Sequence, residues 1–201
     1  PGQLWLDGVD ITTLDLADLR GSVGLVPQEG YLFTASLADN LRYGEPEAPL
    51  ERVREAARQA RLDGDIKGFP DGYDTLVGER GITLSGGQRQ RTALGRALLV
   101  QTPLLVLDDA LASVDNTTAA EILRSIREER SRLESSDQTD GRTILMISHQ
   151  LSAAAACDRV LVLEDGRLVQ AGTHNDLLCQ RGTYQRLWDR EQATEQLKAA
   201  G

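Results

Sequence analysis

The run Leu104-Leu105-Val106-Leu107 is apolar at successive positions and ends in Asp108-Asp109. A half-wet strand alternates apolar and polar residues, and this run does not. Such a run belongs in the middle of a parallel sheet covered on both faces. Parallel strands need long crossovers, usually helical, and helical sequence lies directly upstream. Gly86-Gly87 opens a helix that runs to about Val100, and Pro103 resets the chain. Ser22 to Val26, Thr143 to Ile147 and Val160 to Leu163 are further apolar runs that read as buried strands. Strands alternating with helices indicate an α/β fold with a mainly parallel sheet and flanking helices. In such sheets the chemistry gathers beyond the carboxyl ends of the strands.

The remaining segments fit around that frame. Gln3 to Gly8 reads as a strand turning at Asp7-Gly8, with Val9 to Ile11 as its return. Ser36 is placed to cap a helix carrying Leu37 and Leu41, and Glu51 to Arg61 is a charged, alanine-rich helix. Gly64, Gly68, Pro70 and Gly72 break the helical pattern repeatedly. Residues 34–95 therefore read as a helical subdomain, with residues 1–33 and 96–201 forming the α/β core. Asp115 is an N-cap for a helix in which Ala119, Ile122 and Ile126 share a face. The polar stretch from Arg127 to Arg142 reads as ending in a flexible loop. Glu164-Asp165-Gly166-Arg167 is a hairpin turn with Leu168-Val169 returning, and helices near Asn175 to Gln180 and Thr183 to Gln196 follow.

Composition narrows the function. At 201 residues and 40% hydrophobic content the chain suffices for one domain. Its formal net charge of −9 lacks the basic footprint of a general nucleic-acid binder. Apolar stretches such as Leu104 to Leu107 and Val160 to Leu163 are far too short to cross a bilayer. Cys157 and Cys179 have neither zinc-site spacing nor a second cysteine pair, and suit a reducing cytosol. Neither of the two lysines, Lys67 and Lys198, follows a glycine, so these residues contain no GxxxxGK[ST] loop. The chain begins with Pro1 rather than Met, and reads as a part of a longer protein.

Four short features carry chemistry. In Leu84-Ser85-Gly86-Gly87-Gln88, paired glycines at a helix start let backbone N–H groups approach an anion closely. The Ser85 hydroxyl can donate to a phosphate oxygen. A bare SGG is better explained as a flexible loop, whereas LSGGQ followed by Arg89, Gln90 and Arg91 is much more specific. Asp108 and Asp109, at a sheet edge, suit a magnesium ion and the polarising of an attacking water. Taken alone, they are equally well explained as acids in a turn. His149, after Ile147-Ser148, is by itself more often structural. Gln28, after Val26-Pro27, carries almost no information alone.

Together they do. Gln28, the LSGGQ segment, the apolar strand ending in Asp108-Asp109 and His149 occur in an order and spacing that resembles the ATP-binding-cassette (ABC) ATPase family. The resemblance covers essentially the whole chain, and implies an ABC-type, P-loop NTPase-like core with a helical signature subdomain. Gln28 resembles the Q-loop, Ser85, Gly86, Gly87 and Gln88 the signature, and Asp108 the Walker B aspartate. Ala112 to Asp115 resembles the D-loop and His149 the switch histidine. The segments Leu32-Phe33 to Gly44 and Val77-Gly78-Glu79-Arg80-Gly81 resemble the exporter branch.

The resemblance implies ATP and Mg²⁺ as ligands, with Asp108 and Gln28 helping hold the metal. It implies Asp109, His149 and Gln28 as catalytic groups, and Ser85 to Gln88 as a clamp on nucleotide held by a second ABC ATPase domain. It further implies coupling helices of a transmembrane domain docking near Gln28 and Glu79, at the cytoplasmic face of a membrane. One departure stands out: the family places glutamate after the Walker B aspartate, and this chain has Asp109. A weakened acid beside an intact signature points to one half of a heterodimeric exporter, whose signature completes the partner's site. These residues alone, without a lysine loop, are expected to bind ATP weakly and to turn none over. The alternatives are a non-catalytic regulatory subunit and a soluble ABC ATPase of DNA maintenance or translation. The acidic charge and the exporter-like segments disfavour the last.

Overall fold

The chain opens on the expected hairpin: Trp5–Leu6 (β1) pairs antiparallel with Val9–Asp10 (β2). Asp7 and Gly8, at φ 49° and 80°, take the left-handed backbone that such a two-residue turn requires. This computed structural model describes residues 4–78, 82–135 and 142–199. It divides into two compact units, Pro1–Ile147 and Ser148–Gly201.

In the first unit Asp15 caps Leu16–Ser22 (α1), accepting from the Ala17 N–H at 2.8 Å. This helix is absent from the sequence reading; the Asp15 cap was its signal. Val23–Val26 (β3) follows directly. Ala35–Ser36 (β4) leads into Leu37–Leu41 (α2), which Ser36 caps as expected by accepting from the Asp39 N–H at 3.0 Å. Leu50–Gln59 (α3), Asp63–Ile66 (α4), Leu76–Val77 (β5) and Gly86–Leu99 (α5) complete the helical region, with β5 antiparallel to β4. Leu37, Leu41, Val53, Ala57 and Leu62 are fully buried in its core. Gly95 lets α5 pack this closely, since a Cβ there would lie 2.7 Å from the Leu41 Cδ2.

Leu104–Asp108 (β6) is the central strand, parallel to β3 on one side and to Thr143–Ile147 (β7) on the other. One face of this sheet is packed, with Val26, Leu105 and Leu107 almost without exposure. Leu25 and Leu145, on the opposite face in register with Val106, are 58% and 49% exposed. Within this chain the cover expected on the second face is not supplied: an apolar run is compatible with a covered face but does not bring its own cover.

Asn116–Ser135 (α6) lies between β6 and β7 in the chain, and the loop expected at the end of the Arg127 to Arg142 stretch falls on 136–141, outside the described residues. Charged residues without an apolar stripe still continue a helix once a well-packed first half has nucleated it. Asp115 caps α6, accepting from the Thr118 N–H at 2.9 Å. Hydrogen bonds from the Thr118 backbone and side chain hold its carboxyl below the usual value. The cap is therefore in place at neutral pH and weakens only as pH falls through that lowered value.

The second unit holds Leu151–Ala155 (α7), the hairpin Val160–Glu164 (β8) and Arg167–Gly172 (β9), His174–Leu178 (α8) and Thr183–Ala199 (α9). The buried reading of Val160 to Leu163 is also corrected. Only Val162 of this run is buried, while Leu161 and Leu163 are exposed, because among the described residues β8 pairs with β9 alone and one side packs. Val162, Leu177 and Tyr184 form its small core. The Tyr184 hydroxyl meets the His174 Nδ1 at 2.8 Å, and Trp188 packs edge-on against the same imidazole. Among the described residues no helix is long and apolar enough to cross a membrane.

Candidate nucleotide site and docking face

Strand register brings the first groups together. Val26 pairs with Leu107, so Gln28 and Asp108 leave adjacent parallel strands at one sheet edge. Gln28 is exposed there, and Asp108 is half-buried. Asp109 follows with φ 48°, a left-handed backbone that Asp tolerates better than most side chains. Its N–H donates to the Ile147 carbonyl at 2.8 Å, and its carbonyl accepts from the Ala112 N–H at 3.1 Å. The Asp109 Oδ1 is shielded from solvent. An off-region conformation fixed on both sides is the kind of local strain that marks functional loops.

The signature is built as a capped helix start. Ser85 accepts from the Gln88 N–H at 3.2 Å, and the Gln88 Oε1 accepts from the Ser85 N–H at 2.9 Å. The first intrahelical bond runs from the Arg89 N–H to the Ser85 carbonyl, so the Gly86 and Gly87 N–H groups precede it. Ser85 is exposed, and its hydroxyl hydrogen is still available to donate. Gln88 is engaged at both ends, because its Nε2 donates to the Asp65 Oδ1 at 2.8 Å. The other Asp65 oxygen accepts from the Arg91 guanidinium at 2.8 Å. Asp65 thus ties α4 to the signature, a residue that sequence reasoning missed because no local motif marks it. Asp65→Asn retains an acceptor for Gln88 but loses the charge facing Arg91, a pair that is 16% and 23% exposed. Its expected cost is about 2–3 kcal/mol of stability, read from urea unfolding of the full-length protein.

In the second unit His149 is exposed, just before α7. The start of α7 is held from the C-terminal helix: the Glu191 carboxylate accepts from the Leu151 and Ser152 N–H groups at 2.8 and 3.1 Å. Glu191, too, was invisible in the sequence.

A second surface of the first unit is aromatic. Phe33 stacks on Tyr43 at 4.3 Å between ring centroids, and Tyr31 meets Phe33 edge-on at 5.2 Å. The Arg96 guanidinium lies about equally far from the Phe33 and Tyr43 rings, at 5.5 and 5.4 Å. It also donates to the Asn40 and Tyr31 carbonyls. Tyr31 and Tyr43 remain 69% and 57% exposed. Of the exporter-like stretch before the signature, Val77 and Gly78 are described, whereas Glu79, Arg80 and Gly81 lie outside the described residues.

A family model described as "ABC transporter" matches residues 1–112, which include the sheet edge, the signature and the Asp108-Asp109 pair. The chain belongs to the ABC transporter family. It is 42% identical over 190 residues to "ABC transporter B family member 24, mitochondrial" of Arabidopsis thaliana, covering 94% of this chain and 27% of that protein. It is 43% identical over 188 residues to "Mycobactin import ATP-binding/permease protein IrtA" of Mycolicibacterium thermoresistibile, covering 94% and 20%. Among solved structures, a bacterial Atm1-family ABC exporter with ATP bound superposes at a TM-score of 0.82 with 39% identity, over 92% of this chain and 31% of that one. The fold is that of an exporter-type ABC ATPase domain, and the chain spans between a fifth and a third of these relatives.

Proposed function

We propose that the full-length protein binds and hydrolyses ATP to drive transport across a membrane, and that this chain's own hydrolytic site is weakened while its signature serves a partner. The observation that carries the reading is one sheet edge bearing Gln28, Asp108 and Asp109, in a chain that also holds an intact capped signature at Ser85 to Gln88.

Oxygen donors at that edge suit Mg²⁺. Among the described residues no three His, Cys, Asp or Glu side chains gather as a protein cage for a metal. Magnesium instead takes one or two protein oxygens and completes its shell with water and phosphate. The Asp108 carboxylate and the Gln28 amide oxygen would be those donors. When bound, the ion neutralises charge on the phosphates. Asp109 orients the attacking water and accepts its proton, from a carboxylate one methylene short of the family's glutamate. His149 donates to the γ-phosphate. Ser85, with the Gly86 and Gly87 N–H groups, binds the γ-phosphate of nucleotide held by a second ABC ATPase domain, where a helix N-terminus favours negative charge. Gln88 holds the clamp through Ser85 and Asp65.

The exposed face of Tyr31, Phe33 and Tyr43 around Arg96 receives a coupling helix of a transmembrane domain, beside the Gln28 loop. That arrangement sets the ATPase at the cytoplasmic face of a membrane. Exporter here denotes architecture, because IrtA, of the same degree of likeness, is named for import; cargo and direction belong to the membrane domain.

Asp109 also favours a second reading, a subunit that binds ATP and gates a partner without hydrolysing it. ATPase assays of the full-length protein, alone and mixed with candidate half-transporters, separate the two. Activity only in the mixture, lost on Ser85→Ala in this chain, is the expected result. Robust turnover by this protein alone sinks the division of labour.

A further inference from the structure

Gln90, in the second turn of α5, is only 6% exposed. A buried amide needs partners, and both of its own lie on distant loops. Its Nε2 donates to the Gln28 carbonyl at 3.2 Å, on the loop after β3. Its Oε1 accepts from the Ser113 N–H at 2.8 Å, on the loop after β6. We propose that Gln90 is a positioning residue that locks the Gln28 loop and the Ser113 loop to the signature helix, so that the three move as one body. The inference rests on the proposed assignment of Gln28 to this chain's own site and of Ser85 to Gln88 to the partner's.

Packing removes the slack that would let either loop drift. On the β3 side, a Cβ at Gly30 would lie 3.1 Å from the Ala93 Cβ and 3.2 Å from the Arg89 carbonyl oxygen. On the β6 side, a Cβ at Gly87 would lie 2.8 Å from the Ser113 carbonyl oxygen. Both bonds of Gln90 go to main-chain atoms, so they fix backbone position irrespective of the side chains the loops carry. The role requires one donor and one acceptor on a single planar group. Glutamate at neutral pH keeps only the acceptor, and methionine, of similar length, keeps neither. A displacement of the signature by nucleotide on the partner is thereby delivered to the Gln28 loop, where this chain's own metal and water are held.

The test combines hydrogen exchange on the full-length protein with ATPase kinetics of its mixture with a partner half-transporter. In Gln90→Met, exchange in peptides covering residues 25–32 and 110–116 is expected to rise about tenfold in both, because each bond is lost. In Gln90→Glu only the 25–32 peptide should rise, because the carboxylate still accepts from the Ser113 N–H. Catalytic turnover should fall about ten- to a hundredfold in Gln90→Met, with KM for ATP within about threefold, as the remaining nucleotide contacts are untouched. Parent-like exchange in both peptides, or kcat within about twofold of the parent despite loosened loops, overturns the inference. If Gln90→Met does not fold, the selective pattern of Gln90→Glu decides alone, since a general destabilisation would loosen both peptides together. Ser85→Ala, assayed in the mixture with a partner half-transporter, serves as the separate control. If it retains full turnover the proposed role of the signature fails, and the exchange pattern still decides the bridge.

Discussion

In the mixed complex with the partner's Walker B acid mutated, Asp109→Glu is expected to raise ATP turnover at this chain's proposed site about ten- to a hundredfold, with KM little changed. The scale follows from reach. Misplacing a catalytic group by about 1 Å costs on the order of a hundredfold, and the missing methylene shortens the side chain by about that much. The backbone has no freedom to compensate. Asp109 is held through its N–H to Ile147 and its carbonyl to Ala112, and the next residues, Ala110 and Leu111, are only 2% and 4% exposed. Part of the gain is offset, since glutamate tolerates the left-handed φ of 48° less well than aspartate, at about 1 kcal/mol. A slight fall in melting temperature should therefore accompany the gain in rate. Unchanged kcat in Asp109→Glu in that complex, while Asp108→Asn abolishes its residual turnover, sinks the weakened-site reading.

Gly87→Ala is the second large expected effect, and under the proposed function it is felt at the partner's site. The added Cβ would lie 2.8 Å from the Ser113 carbonyl oxygen, closer than real Cβ atoms come. That oxygen cannot yield easily: the Ser113 N–H is bonded to Gln90, and the neighbouring Val114 N–H to the Leu111 carbonyl. The start of α5 must move instead, carrying Ser85 and the Gly86 N–H group away from the phosphate they are proposed to clamp. Turnover in the mixed complex should drop on the order of a hundredfold. The control is Gly21→Ala in α1, where a Cβ would meet nothing within 4 Å. It should leave turnover unchanged and stabilise by about 0.5–1 kcal/mol. Equal turnover in Gly87→Ala and Gly21→Ala removes the clamp from its assigned place.

Much of the candidate site was legible because its signals are local. Ser85 and Gln88 lie three residues apart and satisfy each other's backbone within one turn, so the capped signature could be read from the chain. Asp7-Gly8 and Asp165-Gly166 made their hairpins for the same reason, with both residues of each pair at positive φ. The β6 run announced a central parallel strand, and register then placed Asp108 and Gln28 at one edge.

What the sequence determined by itself was therefore the local caps and turns, the main strands and helices, and the residue types available at the strand ends. Tertiary structure decided which distant groups hold those ends in place. Gln90 reaches Gln28 across 62 residues, Gln88 reaches Asp65 across 23, and Glu191 reaches Leu151 across 40. It also decided which apolar faces are covered: Leu105 is fully buried while Leu145, in an equally apolar run, is half exposed. The physical reason is range. A cap or turn is satisfied by atoms within a few residues, whereas burial and bridging depend on neighbours that only the packed chain brings together.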